Sequence, residues 1–230
     1  MLKLGEKSIK SLYLGAKAIS KAYWGDKLVF GGKNYSELEY LATTGQQTNN
    51  TTTNASWIDT GVVPSDNIRI ECRMAFTTLI SGSSQEALFG VTATNGRMAW
   101  GFANLSPQKN FYVGLGAQNL TSTVERDTEI HTFKIDARNK TWQIDEETGS
   151  FTSSGSVSTN LTIFLFGRHG SATGVNKPAN ARVYYCKIWD NDTLIRDYIP
   201  VLDKDNVPCM YDKVTKQFFY NQGTGEFLYE

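Results

Sequence analysis

A chain of 230 residues, 40% hydrophobic and 12% aromatic, is long and apolar enough to bury a core as one large β domain or two small domains. Its 23 Lys+Arg balance 23 Asp+Glu, which argues against a dedicated nucleic-acid binder, and the composition excludes a disordered, coiled-coil or collagen-like chain. No apolar run approaches the roughly 18 residues that cross a bilayer, and the N-terminus carries no apolar signal-peptide region, so neither membrane insertion nor secretion is expected.

The neutral total hides an asymmetry. Residues 1–33 hold seven Lys against Glu6 and Asp26, a net of +5, which leaves 34–230 at −5. The basic segment is repetitive. Leu4-Gly5-Glu6-Lys7-Ser8-Ile9 aligns with Leu14-Gly15-Ala16-Lys17-Ala18-Ile19 and with Trp24-Gly25-Asp26-Lys27-Leu28-Val29, a period of ten. Ten residues suit one short strand plus one tight turn in which Gly supplies the positive φ. A basic amphipathic helix competes, because Ile9, Leu12, Tyr13 and Ala16 also fit a 3.6-residue period. A Gly in every repeat would cost that helix about 1 kcal/mol each time, so strands are favoured. Three short strands bury no face by themselves, so residues 1–33 are expected to act in assembly or docking, the alternative being that they pack on their own domain as extra strands.

From residue 34 onward strand follows strand. The stretch 57–63 ends at Pro64-Ser65-Asp66; Ile68, Ile70, Cys72, Met74 and Phe76 alternate along a long strand; Met98, Trp100 and Phe102 alternate in the next region. Phe111, Val113 and Leu115 follow, then 130–137 and 141–145, joined by Arg138-Asn139-Lys140. The run 161–166 is apolar but for Thr162, and 183–189 and 194–199 flank the hairpin turn Asp190-Asn191-Asp192-Thr193. No linker rich in Pro or Gly divides this body, so it is read as one β-sandwich domain, 34–230. The stretch 43–56 is almost wholly Thr, Asn, Gln, Ser and Gly and is expected at the surface. Cys72 and Cys186 share the alternation of core-facing residues, which predicts buried, inert thiols and production in a reducing compartment.

Glu39-Tyr40-Leu41-Ala42-Thr43-Thr44-Gly45 followed by Trp57-Ile58-Asp59-Thr60-Gly61 resembles the opening of laminin-G-like, concanavalin-A-like jelly-roll domains of phage virion proteins. His131-Thr132-Phe133-Lys134-Ile135-Asp136 and Leu165-Phe166-Gly167 are similar to the middle of that family. Cys186-Lys187-Ile188-Trp189-Asp190-Asn191, then Arg196-Asp197-Tyr198-Ile199-Pro200-Val201, and the tail from Met210-Tyr211-Asp212 through Phe218-Phe219-Tyr220-Asn221 to Gly223-Thr224-Gly225-Glu226-Phe227 resemble its close. The N-terminal repeat is similar to segments of phage tail and fibre proteins. In the family the Thr-Gly runs directly into the aromatic-Ile-Asp-Thr-Gly strand, whereas here 46–56 is inserted. The resemblance implies an all-β antiparallel jelly-roll sandwich preceded by a short β-repeat.

Enzyme signatures are sparse. Retaining glycoside hydrolysis needs two carboxyl groups about 5 Å apart, but Asp145-Glu146-Glu147, Asp190/Asp192 and Asp203/Asp205 all read as surface turns. Nucleophile-elbow, phosphate-loop, zinc-helix and dinucleotide motifs are missing. Relatives of this broad fold bind Ca²⁺ through Asp and Asn oxygens, yet no run has the spacing of a recognised Ca²⁺ loop; no cofactor is expected, with Ca²⁺ as a minor alternative. Sugar binding needs a flat aromatic face and a few fixed polar groups. Ala99, Gly101, Ala103, Gly114 and Gly116 surround Arg97 and Tyr112 as a shallow trough, and Arg168 and His169, together with Trp57 and Asp59 beside the insertion, are the other candidate ligand contacts.

These features predict a non-enzymatic surface protein of a bacterial virus, a fibre, tail-tip or head-fibre component made in the host cytoplasm and carried on the virion. Its expected partners are host surface glycan, other virion proteins, and two further copies of itself in a homotrimer built through 1–33. Nucleic acid and membrane are not expected partners. A purely structural decoration protein and a bacterial carbohydrate-binding accessory domain are the alternatives.

Overall fold

The computed structural model describes residues 3–4, 7–8, 12–14, 17–19, 22–24, 27–30, 34–43, 54–79, 85–92, 98–105, 109–116, 118–152, 157, 159–170 and 174–230. The chain divides into two compact units, Met1–Ser36 and Glu37–Glu230.

In the first unit Lys3–Leu4 pairs with Lys7–Ser8, Leu12–Leu14 with Lys17–Ile19, and Ala22–Trp24 with Lys27–Phe30. Each pair is a separate two-stranded antiparallel sheet. Leu4 sits opposite Lys7, Leu14 opposite Lys17 and Trp24 opposite Lys27. In the sequence the same two repeat positions, Gly first, lie between the paired strands every time. A ten-residue repeat is thus a whole hairpin rather than one strand and a turn, and the amphipathic-helix alternative is excluded.

The second unit is an antiparallel β-sandwich with no helix among its described residues. The larger sheet runs in the order Glu147–Ser150, Thr141–Ile144, His131–Asp136, Ile68–Phe76, Ala181–Asp190, Thr193–Asp203, Pro208–Asp212, Gln217–Phe219. Leu41–Thr43 joins the Ala181–Asp190 strand and pairs in turn with Phe227–Tyr229. The smaller sheet runs Gln118–Glu125, Asn110–Leu115, Met98–Leu105, Gln85–Thr92, Phe164–Leu165, Ile58–Asp59. A small hairpin, Arg168–Gly170 with Gly174–Asn176, joins it through a parallel bridge between Val91 and His169.

Period-two alternation explains the layers. Along Ile68–Phe76, Ile70, Cys72 and Met74 are fully buried while Arg69, Glu71 and Arg73 are on the other face. Aromatic rings bridge the sheets: Phe102 of the smaller sheet lies 5.1 Å from Phe133 of the larger, and Phe111 lies 6.2 Å from Phe76. Trp100 is in register between Val91 and Leu115, both core residues.

Several strands differ from the sequence expectation. Only Phe164 and Leu165 of 161–166 form a strand, because Phe166 adopts φ 66° and turns the chain. Of 57–63 only Ile58 and Asp59 do. The turn after Ile144 is Asp145-Glu146 alone, Asp145 taking φ 49°, and Glu147–Ser150 is an edge strand. The ends of the polar stretch 43–56 are buried: Thr43 donates its hydroxyl to the Ala179 carbonyl at 2.5 Å, and Ala55 and Ser56 are covered. Its middle, 44–53, lies outside the described residues.

What covers Ala55 and Ser56 is the C-terminal loop. The Gln222 amide donates to the Trp57 carbonyl and the Gly225 amide to the Ala55 carbonyl, both at 3.0 Å. Asn221 accepts from the Trp57 and Gly223 amides and donates to Gly225. A side chain at Gly223 would run into the Ala55 carbonyl and the Trp57 ring, so the Gly-x-Gly of the tail is a steric requirement for this latch.

Candidate functional site

The smaller sheet places the trough residues named from the sequence. Cross-strand partners share a face. One row across the sheet is therefore Ala87, Ala103, Tyr112 and Thr121, and the neighbouring row is Asp59, Phe164, Gly90, Gly101, Gly114 and Asn119. Tyr112 packs on Ala87 and Ala103. Gly101 adopts φ 138°, and any side chain there would strike the Phe89 carbonyl and the Gly90 Cα. Close strand approach is thus the reason for glycine at position 101.

Of the six predicted contacts, the structure brings two pairs together. Arg168 is buried and lies within electrostatic reach of Tyr112 and Lys177; burial pushes its guanidinium downward from its ordinary value against the pull of Tyr112. His169 stacks on Phe164 at 3.9 Å, and Trp57 lies along the same ring at 6.1 Å. The His169 Nδ1 contacts the Thr162 carbonyl at 3.0 Å, and Trp57 is walled by Gly174 and Gly223. Asp59 accepts from the Gly61 amide at 2.8 Å, closing the turn that ends its strand. Trp57, His169 and Asp59 thus serve the packing of the sheet end. Arg97 lies outside the described residues.

A second surface, absent from the sequence reading, lies on the outer face of the larger sheet. A groove of about 470 Å³ opens there, lined by Arg69, Glu71, Lys134, Gln143, Thr148 and Trp189 among others. Strand register builds it from two rows. Trp189, Arg69, Asp136 and Thr141 stand side by side, and beside them Lys187, Glu71, Lys134, Gln143 and Thr148. The Arg69 guanidinium sits 4.4 Å above the Trp189 ring. Glu71 accepts from the Tyr185 hydroxyl at 2.8 Å and pairs with the Lys134 ammonium at 3.4 Å. Burial, then the bond to Glu71, pushes the Tyr185 phenol up to about 12, so it stays a neutral donor.

No protein-family model matches the chain, and no curated protein matches it either.

The groove has the parts of a sugar-sized site. Its volume falls in the range of about 300–1,000 Å³ common to small-molecule pockets. Its lining combines the Trp189 indole, with the Arg69 guanidinium stacked on that ring, and carboxylate, ammonium, amide and hydroxyl groups along the floor. Pyranose rings offer an apolar C–H face to aromatic edges and hydroxyl groups to such a floor. The nearest carboxylates of the floor, Glu71 and Asp136, are tied into the sheet surface: Glu71 as above, Asp136 accepting from the Asn139 amide and side chain at 2.9 and 2.8 Å.

Proposed function

We propose that the chain is a non-enzymatic surface protein of a bacterial virus whose sandwich contacts host-surface glycan and whose N-terminal hairpins assemble or dock it. The observation that carries the glycan reading is the outer-face groove in which the Arg69/Trp189 stack adjoins the polar side chains of the larger sheet. The resemblance of the chain's opening, middle and closing motifs to virion laminin-G-like jelly-roll domains supports the virion assignment. A shallow groove binds one sugar weakly, and several copies on one particle would turn that into firm attachment without new contacts.

A second reading is favoured by the pairing inside the groove. Glu71 is already satisfied by Lys134 and Tyr185, which suits a surface that spaces or covers the particle and binds nothing. Attachment of labelled full-length protein to host cells separates the two. Trp189→Ala should weaken attachment at least tenfold while leaving the thermal midpoint within about two degrees, because Trp189 lies on the outer face. Attachment equal to wild type in both Trp189→Ala and Tyr112→Ala would overturn the glycan reading and leave the decoration reading standing.

A further inference from the structure

We propose that Cys72 and Cys186 are a latent cross-strand disulfide pair that, oxidised by a small-molecule disulfide such as glutathione disulfide, locks together the two central strands of the larger sheet. The two residues are direct partners in the antiparallel pairing of Ile68–Phe76 with Ala181–Asp190. Their Sγ atoms are in direct contact at 2.8 Å, and both residues are fully buried. Directly opposed strand residues have Cα separations of about 4.5–5.5 Å, inside the range a disulfide spans. Cys209 is excluded from the pair by topology. It lies on Pro208–Asp212, with the Thr193–Asp203 strand between it and Cys186, so roughly 10 Å of sheet separates them.

The chemistry is two exchanges. One cysteine thiolate attacks the glutathione disulfide, forming a mixed disulfide and releasing one glutathione thiol. The second cysteine thiolate then attacks the protein sulfur of that mixed disulfide, forming the Cys72–Cys186 bond and releasing the other. Two protein thiols are oxidised, one external disulfide is reduced, and the two protons leave with the glutathione thiols. Burial, then the contact with Cys186, holds the Cys72 thiol well above the ordinary cysteine range, so the closed sandwich is unreactive. Exchange therefore proceeds during folding or when the sheet opens. Because the residues are 114 positions apart, the bond closes a long loop and constrains the unfolded chain strongly.

Full-length protein is refolded in a glutathione redox buffer, quenched with acid, unfolded and alkylated. In parallel, native protein is oxidised in urea below its unfolding midpoint. Alkylation is expected to drop from three cysteines to one, with a mass loss of about 2 Da and a single cross-linked peptide joining residues 72 and 186. The thermal midpoint should rise by on the order of 10 °C and return on treatment with dithiothreitol. Three alkylatable thiols in both preparations, a cross-link involving Cys209, or a cross-link between two chains would overturn the proposal.

Discussion

His131 has an acceptor on each side of its ring. Its Nδ1 lies 2.5 Å from Asp145 and its Nε2 2.8 Å from Asp127, and the ring sits edge-on against Phe111 at 5.2 Å. Two carboxylates can both be satisfied only if both nitrogens carry protons, that is, by the imidazolium. Burial pushes the pKa down as the largest single influence, but the hydrogen bonds and charges of the two aspartates together outweigh it and the net direction is up. The folded value therefore lies above the unfolded value of about 6.5. The stabilisation is fully present below that unfolded value and is lost as pH rises through the folded one. His131→Gln should cost about 1–2 kcal/mol at pH 5.5, and the gap to wild type should shrink on the way to pH 9. Urea melts at four pH values measure it; a gap independent of pH would sink the assignment.

Turns fix the elements in the same way, through single side chains. Asp212 is fully buried at the end of its strand, and its carboxylate accepts from the amides of Asp197 (2.8 Å), Val214 (3.0 Å) and Thr215 (3.3 Å) and from the Thr215 hydroxyl (2.7 Å). It thereby ties the 213–216 turn to the neighbouring strand. Asp212→Ala leaves those donors without an acceptor and should cost about 3 kcal/mol or more, with Asp212→Asn in between. A urea melt showing less than 1 kcal/mol for the alanine variant would refute the tie. Much of this level was legible in the sequence. The alternation of Ile68 to Phe76 gave both its faces, and the turn at Asn191, which takes φ 53°, was marked by its Asp-Asn-Asp composition. The break at Phe166 was hidden because an apolar run carries no sign of a positive φ on a phenylalanine. The outer-face groove was hidden for a different reason. Arg69, Asp136, Gln143 and Trp189 meet only through strand register across some 120 residues, and none belongs to a local motif. The neighbourhood of Tyr112 with Ala103 and Gly114 was open to the sequence because these residues alternate along single strands.

At the scale of the whole molecule, the decisive feature is how the N-terminal hairpins are left. Among the described residues of 1–30, each hairpin is a sheet of two strands with no third strand beside it. A two-stranded hairpin is marginal in water by itself, and its outer edges present unpaired amides and carbonyls. The ten-residue period repeats that situation three times, and Lys recurs at the same place in each hairpin, at Lys7, Lys17 and Lys27. Identical chains brought side by side would supply the missing neighbours, and a closed ring of three does so without leaving an edge to propagate into filaments. Light scattering on the full chain is then expected to give about three times the 25.6 kDa of one chain. A chain beginning at Asn34 should scatter as a monomer, and Gly15→Pro in the full chain should shift the mass toward the monomer by disrupting the Leu14–Lys17 connection. If full-length protein is monomeric at every concentration, the hairpins do not self-assemble. Their edges are then completed by the chain's own sandwich or by another protein, and the search moves from self-association to those two contacts.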